Sequence, residues 1–270
     1  TCVVCSGNTI FNSFTLDDDF AVTQNPYVQK GISGIPDLLT HPYITTGDKT
    51  MDYRPISGIS FAIEHQFFGQ NPHVSHLVNI LLFIACVLLL FKVLKDVFGL
   101  QKYHSLLPLI ICLFYTVHPA HTEVVASIKS RDELLSFIFS LLAFLHVFYF
   151  FTVPTKSLGY GIKAVIFFLL SFLSKLVAMP LIPILILTGI FFGYYKQKIK
   201  FYPFFAILLT VAISYMFFMV SFLKRTNYDI ENPLFYNHDF SIRLGTTLQT
   251  LFFYFKFMFV PHPFRFYYGY

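Results

Sequence analysis

With 270 residues, a mean hydropathy of +0.64, 36 Phe, 17 Tyr and no Trp, the chain carries more apolar surface than a soluble core of its size buries, which excludes a soluble globular protein. The net charge of +5 would suggest an anionic partner in a soluble protein, but these lysines read as membrane orientation and form no basic patch, so nucleic acid is not an expected partner. Four Cys, with Cys86 and Cys112 inside apolar runs, exclude a disulfide framework, and Cys2-Val-Val-Cys5 lacks the strand and helix context of a redox motif.

In chain order, residues 1–12 lack an initiating Met and a signal peptide and predict the tail of a truncated first transmembrane helix, so a fragment of something longer is expected. Residues 13–76 predict a long first loop, rich in turn formers: Asn25-Pro26, Gly31 to Pro36, His41-Pro42, Gly47-Asp48 and Asn71-Pro72. Within it the apolar spacing of Gly34–Leu39 and Gly58–Phe68 predicts short interfacial helices. Crossing a bilayer takes roughly 20 apolar residues at about 1.5 Å rise each. Leu77–Leu94, Leu134–Val153, Leu176–Tyr195 and Phe201–Leu223 qualify, and Tyr103–Val117 and Leu158–Leu173 are short, giving a helix bundle over 77–223. A second loop follows at 224–245, and in the last segment, 246–270, Gly245–Val260 either crosses or lies in the interface. No internal repeat is present, and nothing recurs at the ~34-residue tetratricopeptide period.

Strict alternation places Lys92–His104, Pro154–Lys163 and Lys196–Lys200 on one side, and their lysines make that side cytoplasmic. Of the fourteen acids only Asp96 falls there, so the polar chemistry is expected on the extracytoplasmic face.

Five features on that face stand out. Asp17-Asp18-Asp19 reads equally as a solvated helix cap or as adjacent carboxylates that raise one another's pKa, leaving one able to take a proton. His118-Pro-Ala-His121-Thr-Glu123 has zinc-like residues, but the spacing is not that of His-Glu-x-x-His and Pro119 interrupts the helix, so no metal site is predicted. Ser127-Ile-Lys129-Ser-Arg131-Asp132-Glu133 alone reads as an anchoring ladder of charges; with Arg54 and Lys175 it puts cations on the acidic face, where they suit a lipid-linked phosphate. Tyr53-Arg54-Pro55 alone reads as a turn with a snorkelling Arg. Lys175, between two spans with almost no loop, requires an anionic partner.

The ordered set Asn12-Ser-Phe-Thr-Leu-Asp17-Asp18 with Gln24-Asn25-Pro26, Tyr53-Arg54-Pro55, Ser75-His76-Leu77-Val-Asn79, His118-Pro-Ala-His121-Thr-Glu123, Ser130-Arg131-Asp132-Glu133, Phe172-Leu-Ser-Lys175 and Pro261-His262-Pro263 resembles the transmembrane and tetratricopeptide-repeat-containing O-mannosyltransferases and their bacterial homologues. The resemblance covers essentially the whole chain. It implies an all-α polytopic membrane protein, a GT-C glycosyltransferase-like helical bundle whose long first extracytoplasmic loop bears the essential acid. Such an enzyme moves a sugar, mannose or a similar hexose, from a polyprenyl (dolichyl) phosphate carrier to a Ser or Thr hydroxyl of an acceptor polypeptide.

On that resemblance Asp17 or Asp18 is the catalytic base; Asp19 is an extra acid. Arg54, Lys129, Arg131 and Lys175 are the candidates for the donor phosphate, and His118, His121, Glu123, Asp132 and Glu133 for positioning substrate. No cofactor is expected, a divalent metal being left open. Two positions depart from the family pattern: Leu176 where an acid usually follows the Lys, and Tyr267 near the usual place of an Asp. They motivate a second reading, a non-enzymatic membrane scaffold for downstream repeats; transfer to a glycan or lipid is a third. A transporter ranks last because the spans are nearly free of charge.

Overall fold

The computed structural model describes residues 2–15, 17–46, 49–100, 106–153, 157–194, 198–222 and 239–262. The Gly47-Asp48 turn, Tyr103, most of the second loop, Pro263 and Tyr267 lie outside the described residues. The chain divides into two units, Thr1–Lys224 and Arg225–Tyr270.

The first unit is helical apart from one small hairpin. Helix α1 (Cys2–Ser6) runs into a 3-10 turn, Gly7–Phe11, and the acidic stretch leads into a π-helical turn, Asp19–Thr23. Helix α2 (Pro26–Gln29) starts where the sequence dictates: Pro26 presets the first helical residue, and the Asn25 side chain accepts from the N–H groups of Tyr27 (3.0 Å) and Val28 (3.2 Å). Helix α3 (Ile35–Thr40) and the antiparallel pair β1 (Ile44–Thr46) and β2 (Lys49–Met51) follow. Then comes α4 (Pro55–Phe68), opened by Pro55. Thus both helices expected in the first loop form, and the hairpin is an addition that no alternating apolar pattern announces.

Helices α5 (Pro72–Leu100), α6 (Leu107–Val117), α7 (His121–Ala126), α8 (Arg131–Thr152) and α9 (Ser157–Ser174) make the first half of the bundle. A 3-10 turn (Leu176–Ala178), α10 (Leu181–Gly189) and a π-helical end (Ile190–Tyr194) complete the next crossing, and α11 (Lys198–Phe222) the last of this unit. Among the described residues, five stretches are long and apolar enough to cross a membrane: Pro72–Gly99, Arg131–Thr152, Ser157–Ser174, Leu176–Gly193 and Phe201–Phe222. Their outward residues are large and apolar, as at Leu187 (64% exposed) and Phe217 (75%), a surface that water would penalise and lipid does not. The chain is an integral membrane protein.

Contacts at both ends fix the directions. Asn79 of α5 meets Ile128 and Arg131 at one end, and Lys92 and Asp96 of α5 meet Tyr149 of α8 at the other. Helices α5 and α8 therefore run the same way, and the chain must return between them along α6, only 11 residues long. Helix α9 turns back along α8: Ser157 donates to the carbonyl of Phe150 at 3.2 Å at the lower end, and Lys175 reaches Asp132 at the upper end. Tyr215 near the far end of α11 donates to the carbonyl of Phe172 at 3.0 Å, so α11 ends at this same upper level. The main core of aromatic side chains, including Phe150, Phe168, Phe172 and Phe204, lies between α8, α9 and α11.

At the upper end the fold is tied by one fully buried cation. The Arg131 guanidinium is 0% exposed; Nε donates to Asn79 Oδ1 (2.9 Å), Nη1 to Ser60 Oγ (3.2 Å) and Nη2 to the Ser75 carbonyl (3.1 Å). Nη2 also stands 2.8 Å from Glu64 Oε2, an ion contact outside hydrogen-bond alignment, and the plane of the guanidinium covers the Phe61 ring at 4.2 Å. The second Glu64 oxygen accepts from Ser75 Oγ. One residue thereby joins α4, α5 and α8.

The second unit contains α12 (Phe240–Phe259), capped by Asp239, whose carboxylate accepts from Ser241 N–H at 2.8 Å. None of its residues is buried, and it is not one of the five spanning candidates.

Arg131→Met leaves Glu64 buried without its counter-charge and should cost about 3–5 kcal/mol of stability. Unfolding of the detergent-solubilised protein measures it; adding Glu64→Gln should recover part of the loss, because the uncompensated charge then disappears.

Candidate functional site

The acidic stretch does not act as a unit. Asp18 is 1% exposed: one oxygen accepts from the Lys129 N–H at 2.8 Å, and the other from Thr15 N–H at 3.1 Å and its hydroxyl at 3.5 Å. Its carboxylate is consumed in holding Thr15 and Asp18 against the turn that precedes α8. Asp17 faces outward, 56% of its side chain exposed, and pairs with the Lys129 ammonium. Asp19 turns away to accept from the Thr23 hydroxyl at 2.8 Å. Adjacent positions point in different directions, so three consecutive acids become a clamp, an outward carboxylate and a helix-end acid.

A ladder of charges lies next to this turn. Asp132, fully buried in the first turn of α8, is paired with Arg54 and stands 3.3 Å from the Lys175 ammonium, which also donates to Glu133 at 2.7 Å. Arg54 continues the ladder to Asp52. Asp52 adopts φ 54°, a left-handed conformation that Asp tolerates better than most residues, and this bend lets its carbonyl accept from Tyr43 N–H at 2.9 Å. The Tyr43 ring lies 5.3 Å under the Arg54 guanidinium. Burial works against the Arg54 charge, but Asp132 and Asp52 outweigh it and raise its affinity for the proton.

The five residues Lys129–Glu133 thus distribute their charges. Lys129 goes to Asp17, Arg131 to Glu64, Asp132 to Arg54 and Lys175, and Glu133 to Lys175. Among the expected phosphate cations, Lys129, Arg54 and Lys175 remain partly exposed at 28%, 14% and 19% of their side chains, whereas Arg131 is sealed in the packing described above.

His118, His121 and Glu123 stand apart from the ion pairs that join the acidic turn to the ladder. His118 Nδ1 accepts from the Ala120 N–H at 3.2 Å, and Glu123 faces outward in the first turn of α7. His121 packs on Tyr115 with ring centres 4.1 Å apart; burial and then the neighbouring His118 push its pKa down to about 4. Among the described residues no three His, Cys, Asp or Glu side chains are grouped as metal ligands.

Beside the Arg131 cluster a groove of about 400 Å³ runs between α4, α5 and α8, walled by Ile59, Ile63, Phe67, Val78 and Leu135, with Ser60 and Glu64 also lining it. Two participants were not singled out from the sequence. Asp52 carries no pattern that would mark it. Glu64 does: it is the only acid within the apolar stretch Gly58–Phe68, and a lone charge there predicts a buried partner.

The chain matches no protein-family profile and no solved structure. It is similar to curated proteins: 31% identical over 147 residues to "Protein O-mannosyl-transferase TMTC1" of Homo sapiens, covering 53% of this chain and 16% of that protein. It is 32% identical over 157 residues to "Protein O-mannosyl-transferase TMTC4" of Homo sapiens, with 53% and 21% covered. With "Protein O-mannosyl-transferase F38B6.6" of Caenorhabditis elegans the match is 28% over 226 residues, 82% of this chain and 31% of the relative. The chain spans less than a third of the length of these relatives.

Because the pKa of His121 falls to about 4 on folding from an ordinary value near 6.5, the unfolded chain binds the extra proton first. Its contribution to stability is complete above pH about 6.5 and should be lost as pH falls toward 4. His121→Phe, which keeps the aromatic contact with Tyr115, should flatten the fall in melting temperature over that window.

Proposed function

We propose, on the premise that this chain is a relative of the protein O-mannosyl-transferases, that it is the membrane part of a glycosyltransferase acting on the face that carries the ladder. The donor is a hexose, mannose by analogy with the relatives' names, linked to a polyprenyl phosphate, and the acceptor is a Ser or Thr hydroxyl of a polypeptide. The positive-inside distribution of lysines supports an extracytoplasmic position for that face. The single observation that carries the reading is the juxtaposition of one outward carboxylate, Asp17, with Lys129 and the Arg54–Asp132–Lys175 ladder at one end of a membrane bundle.

The chemistry follows from that placement. The acceptor oxygen attacks the anomeric carbon, the bond from that carbon to the phosphate oxygen breaks, and the hydroxyl proton passes to a carboxylate. Asp17 suits that role better than Asp18, because both Asp18 oxygens already accept protein hydrogen bonds in a sealed site. The departing carrier phosphate needs positive charge, which Lys129, Lys175 and Arg54 supply where solvent screens them poorly. Asp132 and Glu133 hold Lys175 and Arg54 in place, Arg131 holds the helices, and His118, His121 and Glu123 are left to the sugar or the acceptor. The α4–α5–α8 groove, beside the Arg131 cluster, offers the carrier's lipid chain an apolar path. No step requires a cofactor or a metal.

The scaffold reading rested partly on Leu176 replacing an acid beside Lys175. In this fold Lys175 has two acids, Asp132 and Glu133, supplied from α8, so that substitution leaves the cation compensated.

Membranes containing the protein, given labelled polyprenyl-phosphate mannose, should transfer label to protein. Asp17→Asn should lower the rate by about 10²–10⁴-fold, the usual contribution of a general base, with the donor KM little changed. Lys129→Gln and Lys175→Gln should raise the donor KM as well. Absence of both turnover and donor binding by the wild-type protein would instead favour the scaffold.

A further inference from the structure

His76, in the first turns of α5, has no part in the scheme above, yet it is 1% exposed and neither ring nitrogen makes a well-aligned hydrogen bond, the Ser13 backbone being its nearest polar partner. A buried imidazole so weakly partnered is costly, and native folds keep few such groups. Its surroundings are specific. The residue before it gives its carbonyl to Arg131 at 3.1 Å, and Asn79, one turn on, donates to the carbonyls of Ser127 (3.0 Å) and Ile128 (3.4 Å). One turn back, His73 Nδ1 meets the Ile10 carbonyl at 2.6 Å. His76 is thus wedged between the stretch that leads to the acids and the turn that carries Lys129, with the Ser13 backbone beside it and the Asp18 carboxylate within electrostatic reach.

We propose that His76 is a positioning residue that acts through Asp18: its polar ring backs the buried carboxylate, so that Asp18 holds the Lys129 backbone and thereby sets the Asp17–Lys129 pair. The inference rests on the transfer reaction proposed above. A side chain that only filled space would be replaced best by Leu, which is close in size and apolar. One that acts by its polarity would be replaced best by Gln.

The experiment compares His76→Leu and His76→Gln, alone and in Asp18→Asn, as full chains in membranes with labelled polyprenyl-phosphate mannose. His76→Leu should lower kcat about 10-fold or more with the donor KM within about twofold, as expected for slight misplacement of reacting groups. His76→Gln should restore most of that loss, and His76→Leu should cost less than about twofold once Asp18 is Asn, because the two act as a pair. Wild-type kcat in His76→Leu, or equal losses in the Leu and Gln variants, would overturn the proposal. If the wild-type protein transfers no sugar, the enzyme reading falls by itself, and melting of the same proteins in detergent decides the coupling. Non-additive shifts for His76→Leu and Asp18→Asn then support the pair, and additive shifts overturn it.

Discussion

Everything at the upper end of this bundle depends on the burial of one guanidinium. Arg131 lies at the start of a membrane-spanning helix and is inaccessible to solvent, a placement that costs several kcal/mol unless a counter-charge and hydrogen bonds replace the lost water. Glu64, Asn79, Ser60 and the Ser75 carbonyl replace it, and they come from two other helices. The electrostatic demand therefore works as a geometric one: α4 must lie across the ends of α5 and α8 for the charge to be satisfied. A ring contact with Phe61 fills the remaining face, so packing and charge point to the same arrangement.

From this anchor the neighbouring residues acquire their positions. The main chain entering α8 is fixed at residue 131, so Lys129 and Asp132 can reach only what lies on either side. On one side is the acidic turn, which Asp18 clamps through the Lys129 N–H; on the other are Arg54 and Lys175. A structural cation and three more exposed cations thus occupy one short region with different jobs. The division follows accessibility: a fully enclosed Arg131 has its polar groups committed inside the protein, whereas Lys129 and Lys175 remain partly exposed.

Much of this was legible in the chain itself. Apolar runs of sufficient length announced the spans, and helical apolar spacing announced the loop helices over Gly34–Leu39 and Gly58–Phe68, because these are local constraints that act through a few adjacent residues. The ends were less legible: α5 extends from Pro72 to Leu100 beyond the apolar stretch Leu77–Leu94, since a polar residue such as Ser75 is tolerated inside the helix once Glu64 of α4 accepts from its hydroxyl. The site was legible in composition and not in roles. Asp17 and Asp18 are the same residue type at adjacent positions, and only the three-dimensional turn makes one exposed and the other enclosed. Arg131 belonged with Lys129 by spacing, yet its partner Glu64 lies 67 positions away in the chain, a separation no local pattern encodes.

Position 176, where the resemblance described above leads to the expectation of an acid, illustrates what such a network permits. A lysine between two spans needs negative charge nearby, but electrostatics sets a distance and says nothing about which segment supplies it. When the adjacent residue is Leu, Asp132 and Glu133 meet the requirement from the neighbouring helix α8, and the backbone that turns at Lys175 can pack Leu176 against apolar neighbours instead. The acids that Lys175 lacks beside it in sequence are therefore present in space. The same reasoning explains why Asp132 is enclosed between two cations: it neutralises part of their mutual repulsion and holds Arg54 and Lys175 close together. With Asp52 on Arg54 and Glu133 on Lys175 as further partners, both cations are compensated within the protein, and the network fixes their positions.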